Sequence, residues 1–168
     1  MKSTLRAVAL PLNADWHKKN RMPKGAKLAQ RMKWHLEHAK ECGCRSIPRT
    51  VLDAILERFN SPGEVREMIK GRFEVAEIEG MTVGRAMYEP GWKWSMHVGP
   101  ALGQSRCTVE HVGYVVSGTA VAAFDDGRID PLKQGKRFYV PAEPHDSWVV
   151  GKEPYVSLHF VGAERYSR

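Results

Sequence analysis

Several things that would quickly place a chain are scarce in these 168 residues. There are only three cysteines, an odd number, and two stand together in Cys42-Gly43-Cys44. That is no disulfide framework, so a reducing, cytoplasmic setting is expected. No apolar run approaches the roughly 20 residues needed to cross a bilayer. The segment Met1–Leu10 is short and broken by Arg6, which makes it a poor secretory signal. There is no internal repeat and no low-complexity tract. Acidic residues are sparse in one region: positions 1–60 carry 13 Lys+Arg against 5 Asp+Glu, whereas positions 61–168 carry 13 against 14. The basic character therefore belongs to the N-terminal third. Such a segment suits nucleic acid, an anionic surface or an acidic protein, and equally a solvated helix face.

The chain changes character near position 70. Residues 1–24 are rich in Lys, Arg, Asn and Pro and read as an arm. From Ala26 to Glu41, Leu28, Met32, Leu36 and Ala39 recur at helical spacing, with Gly43 as a stop. Pro48–Phe59 repeats the pattern through Val51, Leu52, Ile55, Leu56 and Phe59. Ser61-Pro62-Gly63-Glu64 resembles a capping box and predicts a short helix ending near Gly71. Beyond it come short segments rich in Val, aromatic and β-branched residues: Arg72–Glu79, Thr82–Tyr88, Trp92–Val98, Val109–Val116, Thr119–Phe124, Arg137–Val140, Ser147–Val150 and Tyr155–Val161. Gly, Pro and Asp punctuate them, and Asp126-Gly127 is a hairpin signal. The expected organisation is a basic arm with helices over 1–70, then a mainly β barrel or sandwich over 71–168.

Three histidines stand in the β region. Alternation puts His97 on one face of its segment with Lys93 and Ser95. It puts His111 with Val109, Gly113 and Val115, opposite Val112, Tyr114 and Val116. Both faces are mostly apolar, as expected for an inward site and an outward face covered by a partner subunit. His145 follows Pro141 in a turn. Imidazoles from separate strands can meet only if the sheet curls, and three neutral imidazoles at one point suit a first-row divalent ion.

These positions resemble a family pattern. Gly91 and His97 keep the first interval of the first cupin motif, and His111 and Gly118 keep its last, with His111 where that family usually has Glu. Gly99 replaces the second His of the usual His-x-His. In the second motif Gly135 and Pro141 match, Glu143 stands for a Gly, and His145 arrives one residue early. The resemblance covers about residues 72–162. It implies a cupin double-stranded β-helix, or jelly-roll barrel, preceded by an α-helical segment. It also implies a divalent ion (Fe, Zn, Mn, Ni or Cu) held by His97, His111 and His145. Replacing the usual Glu by His111 removes a negative charge and leaves the ion a stronger Lewis acid. Cys107, four residues before His111, can add a thiolate; its alternative reading is a small buried apolar residue.

On this reading the barrel carries dioxygenase, isomerase or lyase chemistry on a small molecule, with Tyr139, Ser95 and His159 as candidates to move protons. The alternative is a ligand sensor whose basic helices contact nucleic acid or a protein. A homodimer, with the helices as an arm over outer faces near Trp92, Trp94 and Tyr114, is a third expectation. A second site is also legible: His35, His38 and Cys42 lie at spacings of three and four along one helix, with Cys44 just beyond, and four such ligands can close a zinc site.

Overall fold

The computed structural model describes residues 12–166. Three helices come first: α1 (Ala14–Lys19), α2 (Leu28–Glu41) and α3 (Arg49–Glu57), the last running into a 3-10 turn at Arg58–Asn60. The strands β1 (Glu64–Met68), β2 (Gly71–Ile78) and β3 (Met81–Tyr88) follow as a meander. Two single-turn helices, α4 (Trp94–His97) and α5 (Gly99–Leu102), interrupt the β region. The chain then forms β4 (His111–Ser117), β5 (Thr119–Phe124), β6 (Ile129–Lys133), β7 (Arg137–Val140), β8 (His145–Val149) and β9 (Tyr155–Val161). No helix among the described residues is long and apolar enough to cross a membrane.

Two antiparallel sheets carry the architecture. The larger has the order β1-β2-β3-β9-β4-β7, and the smaller β6-β5-β8. They close as a jelly-roll barrel, mainly β and preceded by helices. Phe73, Ala86, Val115, Ala122, Phe124 and Phe138 fill the space between them. The Asp126-Gly127 turn joins β5 to β6, with Gly127 at φ +90° and its N–H bonded to Phe124 O at 3.0 Å.

The outer face of the larger sheet is covered from within the same chain. Met32, Leu36 and Ala39 of α2 and Val51, Leu52 and Ile55 of α3 pack on Ala76, Ile78, Val83, Tyr114, Leu158 and Phe160. This explains the apolar character of both faces of β4: Val115 points into the barrel while Tyr114 and Val116 lie under the helices. Trp92 and Trp94, expected on an outer face, are buried in the barrel core instead.

Two expected elements are replaced. The capping-box helix at Ser61 is strand β1, paired with β2 from Glu64↔Val75 to Met68↔Gly71. A helix so short gains few backbone bonds. The hairpin gains a full ladder, and Arg66 then reaches Ala163 O at 3.1 Å and also Tyr166 O. The expected strand Trp92–Val98 keeps only a bridge, Lys93↔Trp148. Pro100 cannot donate to a ladder, and the buried carboxylate of Asp146 accepts the otherwise unsatisfied Ser95 N–H in the first turn of α4 at 3.0 Å.

Candidate metal centre

Three segments converge at one end of the barrel. The loop before β4 brings Cys107 beside the start of β8. There Cys107 N–H donates to His145 O at 2.9 Å and His145 N–H to Cys107 O at 3.0 Å. His111 opens β4, whose inner face it shares with Gly113 and Val115. The donor atoms of Cys107, His111 and His145 all lie within 4.8 Å of one another, and all three residues are buried. Cys107 Sγ is 3.5 Å from His111 Nε2. A tetrahedral zinc with bonds of about 2.3 Å to sulfur and about 2.0 Å to nitrogen sets its ligand atoms about 3.5 Å apart.

The second nitrogen of each imidazole matters for orientation. His145 Nδ1 is 2.7 Å from Glu143 O, a carbonyl that can only accept. Nδ1 therefore carries the proton, and Nε2 offers its lone pair to the hollow. His111 Nδ1 is buried with no partner. Burial, with His159 and His145 nearby, holds the pKa of His111 well below the ordinary imidazole value. Burial also lowers that of His145, partly offset by Glu143 O and Asp146. Both rings are thus neutral, the form that binds metal. Burial pushes the Cys107 thiol up to about 11, partly offset by a bond to the Val109 backbone. A metal entering here displaces a thiol proton. Two neutral imidazoles, a displaceable thiol proton and an unpartnered buried ring nitrogen fit a divalent ion.

A hollow of about 40 Å³ adjoins these residues, room for on the order of three waters. Trp92, Trp94, Tyr155, His159 and Tyr166 line it further. Tyr88 stacks on Trp92 with centroids 3.8 Å apart, and Tyr88 Oη lies 2.7 Å from Tyr166 Oη. The indole N–H groups of Trp92 and Trp94 are buried without partners.

The remaining sequence candidates divide sharply. His159 lines the hollow, its ring centroid 5.4 Å from that of His111 and its Nε2 3.1 Å from Ser157 Oγ. Burial lowers its pKa to about 3. His97 does not join the group. It lies in α4, half-buried, and its Nδ1 accepts the Lys93 N–H at 2.9 Å, because a helical turn folds the ring back onto its own backbone. Ser95 gives its hydroxyl to Asp146 Oδ2 at 2.7 Å. Tyr139 lies on the outer side of β7, where it borders a surface cleft with Cys44 and Arg45. Neither Ser95 nor Tyr139 lines the hollow. The aromatic residues that do left no motif: Tyr88 and Tyr155 alternate inward on strands, whereas Trp92, Trp94 and Tyr166 come from the helical interruption and the turn after β9.

The N-terminal cluster is also rearranged. The structure gathers His17, His38, Cys42 and Cys44, with donor atoms within 4.8 Å of one another, and leaves out His35. His17 comes from α1, a short helix inside the stretch whose composition reads as an arm.

No family model matches the chain, and no curated protein matches it. Among solved structures it is similar to the formate complex of a Lactobacillus farciminis oxalate decarboxylase, at 18% identity and a TM-score of 0.45 over 62% of this chain and 32% of that one. A Vibrio parahaemolyticus protein of unknown function is similar at 15% identity and a TM-score of 0.41, over 55% and 88% of the two chains. A Bacillus subtilis oxalate decarboxylase described for its Mn(II) centres is similar at 21% identity and a TM-score of 0.40, over 62% and 28%. The chain thus spans about a third of the Lactobacillus enzyme.

Proposed function

We propose that the barrel is a metal-dependent, small-molecule protein of the cupin type, with Cys107, His111 and His145 as the protein ligands. The observation that carries this reading is the meeting of three buried donor atoms, two from the stretch Cys107–His111 and one from the start of β8, at the wall of the hollow. Three protein ligands leave at least one coordination position for a ligand, the arrangement of catalytic rather than structural sites. When bound, a divalent ion supplies Lewis-acid polarisation of an oxygen atom.

The residues around the ligands define what the hollow accepts. The unpartnered indole N–H groups of Trp92 and Trp94 are donors only. Leaving them buried and unbonded costs about 1–3 kcal/mol each, so the hollow favours a small molecule rich in acceptor oxygens. The aromatic walls exclude water and raise the worth of each polar contact. His159, neutral down to about pH 3, is no general base at physiological pH. It offers a hydrogen bond instead, and orients the ligand with Ser157 behind it. A small oxygen-bearing substrate is the proposed class, and dioxygenation, isomerisation or lyase chemistry the proposed reaction type.

Metal analysis of the purified chain tests the ligand set. Cys107→Ser, His111→Ala and His145→Ala are each expected to weaken binding at the barrel at least about tenfold, the scale of losing even an indirect support of a metal site. His97→Ala is expected to leave metal content unchanged. Undiminished metal in His111→Ala and His145→Ala would end this reading.

A further inference from the structure

We infer that His17, His38, Cys42 and Cys44 form a second, closed metal site: a tetrahedral His2Cys2 zinc centre that fastens α1 to the C-terminal end of α2. It stands apart from the barrel and does not depend on the barrel's function.

The geometry is that of a ligand shell. His38 Nε2 lies 3.3 Å from Cys44 Sγ, and Cys44 Sγ lies 3.3 Å from His17 Nε2. Both are close to the edge of about 3.5 Å that a tetrahedral zinc with mixed nitrogen and sulfur ligands requires. Cys42 is the C-cap of α2, where its own N–H still bonds to His38 O at 2.7 Å. This puts His38 and Cys42 one helical turn apart on the same side. The chain bends just beyond, and Cys44 comes back beside them. The Asn13 N–H points at Cys42 Sγ at 3.4 Å, as backbone amides do around metal-bound thiolates. All four positions of a tetrahedron are then taken by protein, so the site is structural.

The surroundings say what it holds. Helix α1 has six residues and none is buried, too short to persist unaided. It is tied down by Trp16, whose ring meets Trp34 and His38 at centroid distances of 5.4 and 5.5 Å, and by Trp34 Nε1–H donating to Asn20 O at 2.7 Å. The His38 ring lies flat on Trp34, with centroids 4.9 Å apart and planes at 7°. A metal bond at His17 gives this aromatic cluster its fixed point. His35, one turn before His38, is buried against Trp34 rather than turned to the cysteines. Arg31 and Arg45 add to burial in keeping it neutral.

Zinc analysis and cobalt(II) substitution of the full chain test the site. In the Cys107→Ser background any sulfur-to-cobalt absorption belongs to the N-terminal group. The expected result there is one tightly held ion per chain with the spectrum of a tetrahedral, two-thiolate site. His17→Ala and Cys44→Ser should each lower zinc affinity at least tenfold, and His35→Ala should not. His17 is half-exposed, so its replacement tests binding without emptying the core, and the same loss of one ion is expected for His17→Ala in the otherwise unaltered chain. Near-ultraviolet circular dichroism of the barrel tryptophans checks that each variant is folded. Absence of the two-thiolate spectrum in folded Cys107→Ser protein overturns the inference. So does zinc that depends on His35 but not on His17, or a Cys42–Cys44 disulfide in protein purified under reducing conditions.

Discussion

Gly113 of β4 is the register partner of His159 on β9, and the Phe138 ring occupies the space where a side chain at Gly113 would be. On the other side of β9 the partner of His159 is Gly84 of β3, over which the Phe73 ring lies. The two phenyl rings flank the imidazole edge-on, with centroids 5.4 and 5.5 Å away. Two glycines thus let two aromatic rings close over one buried histidine.

Gly113→Ala is therefore expected to destabilise the fold by about 3 kcal/mol or more, in the range of overpacked cores. An added Cβ would sit 2.2 Å from Leu158 O and 2.3 Å from Phe138 Cζ. The carbonyl belongs to the β4–β9 ladder and cannot withdraw without breaking it. Urea denaturation measures the effect, and a loss below about 1 kcal/mol would show that the strands can part at little cost.

The burial of His159 gives the metal-free protein an acid-sensitive stability. Its pKa in the fold is about 3, against about 6.5 in the unfolded chain. Above pH 6.5 both states are neutral there and no penalty exists. As pH falls below 6.5 the unfolded chain takes up a proton that the folded one refuses, so stability declines until pH 3. The slope is about 1.4 kcal/mol per pH unit for this residue. Between pH 6.5 and 5 the wild type should lose about 2 kcal/mol more than His159→Gln. Equal losses in the two proteins would mean that His159 is protonated in the fold.

Much of this arrangement could be read from the amino-acid order, and the reasons for the gaps are physical. Strands β5, β7 and β9 were legible to the residue because alternation and turn residues agree there. His111 and His145 were legible as candidates from their spacing to Gly118, Gly135 and Pro141, and Cys107 from standing four residues before His111. His97 stands apart from the group because Trp92–Val98 reads as a strand from its alternation, whereas Asp146, far along the chain, caps a helical turn at Ser95. Local pattern does not register so distant a partner. His17 was missed for the same kind of reason: it reaches Cys44 only through the packing of Trp16 on Trp34. Strand β6 escaped because Asp130 and Pro131 weaken its pattern, yet the Asp126-Gly127 turn folds it onto β5.

Asp146 holds the interrupted part of the barrel together. Its buried carboxylate accepts Ser95 N–H and Ser95 Oγ–H at 3.0 and 2.7 Å, and Lys93 Nζ lies 3.5 Å away. Asp146→Ala should cost about 2–3 kcal/mol, the scale of losing charge-assisted bonds at a buried site. It should also speed hydrogen exchange in α4 before the rest of the barrel. Uniform exchange across the barrel would instead make Asp146 a general contributor with no particular hold on α4.

Arg137 does for the helices what Asp146 does for the loop. From β7 its guanidinium donates to Ala39 O and, at 3.0 Å, to Lys40 O in the last turn of α2. Those carbonyls are among the four that a helix end leaves without internal partners, and a cation there also meets the negative end of the helix dipole. Arg137→Ala is expected to lower stability by about 1–2 kcal/mol. Its more telling effect should be local: faster amide exchange over residues 39–46, and weaker zinc retention by the full chain, since those residues carry Cys42 and Cys44. Arg137→Lys has one charged group in place of a planar fork, and should recover part of the stability but not both carbonyl contacts. If exchange over 39–46 is as slow in Arg137→Ala as in the wild type, the end of α2 is held by its apolar packing on the sheet alone, and the guanidinium is incidental to it.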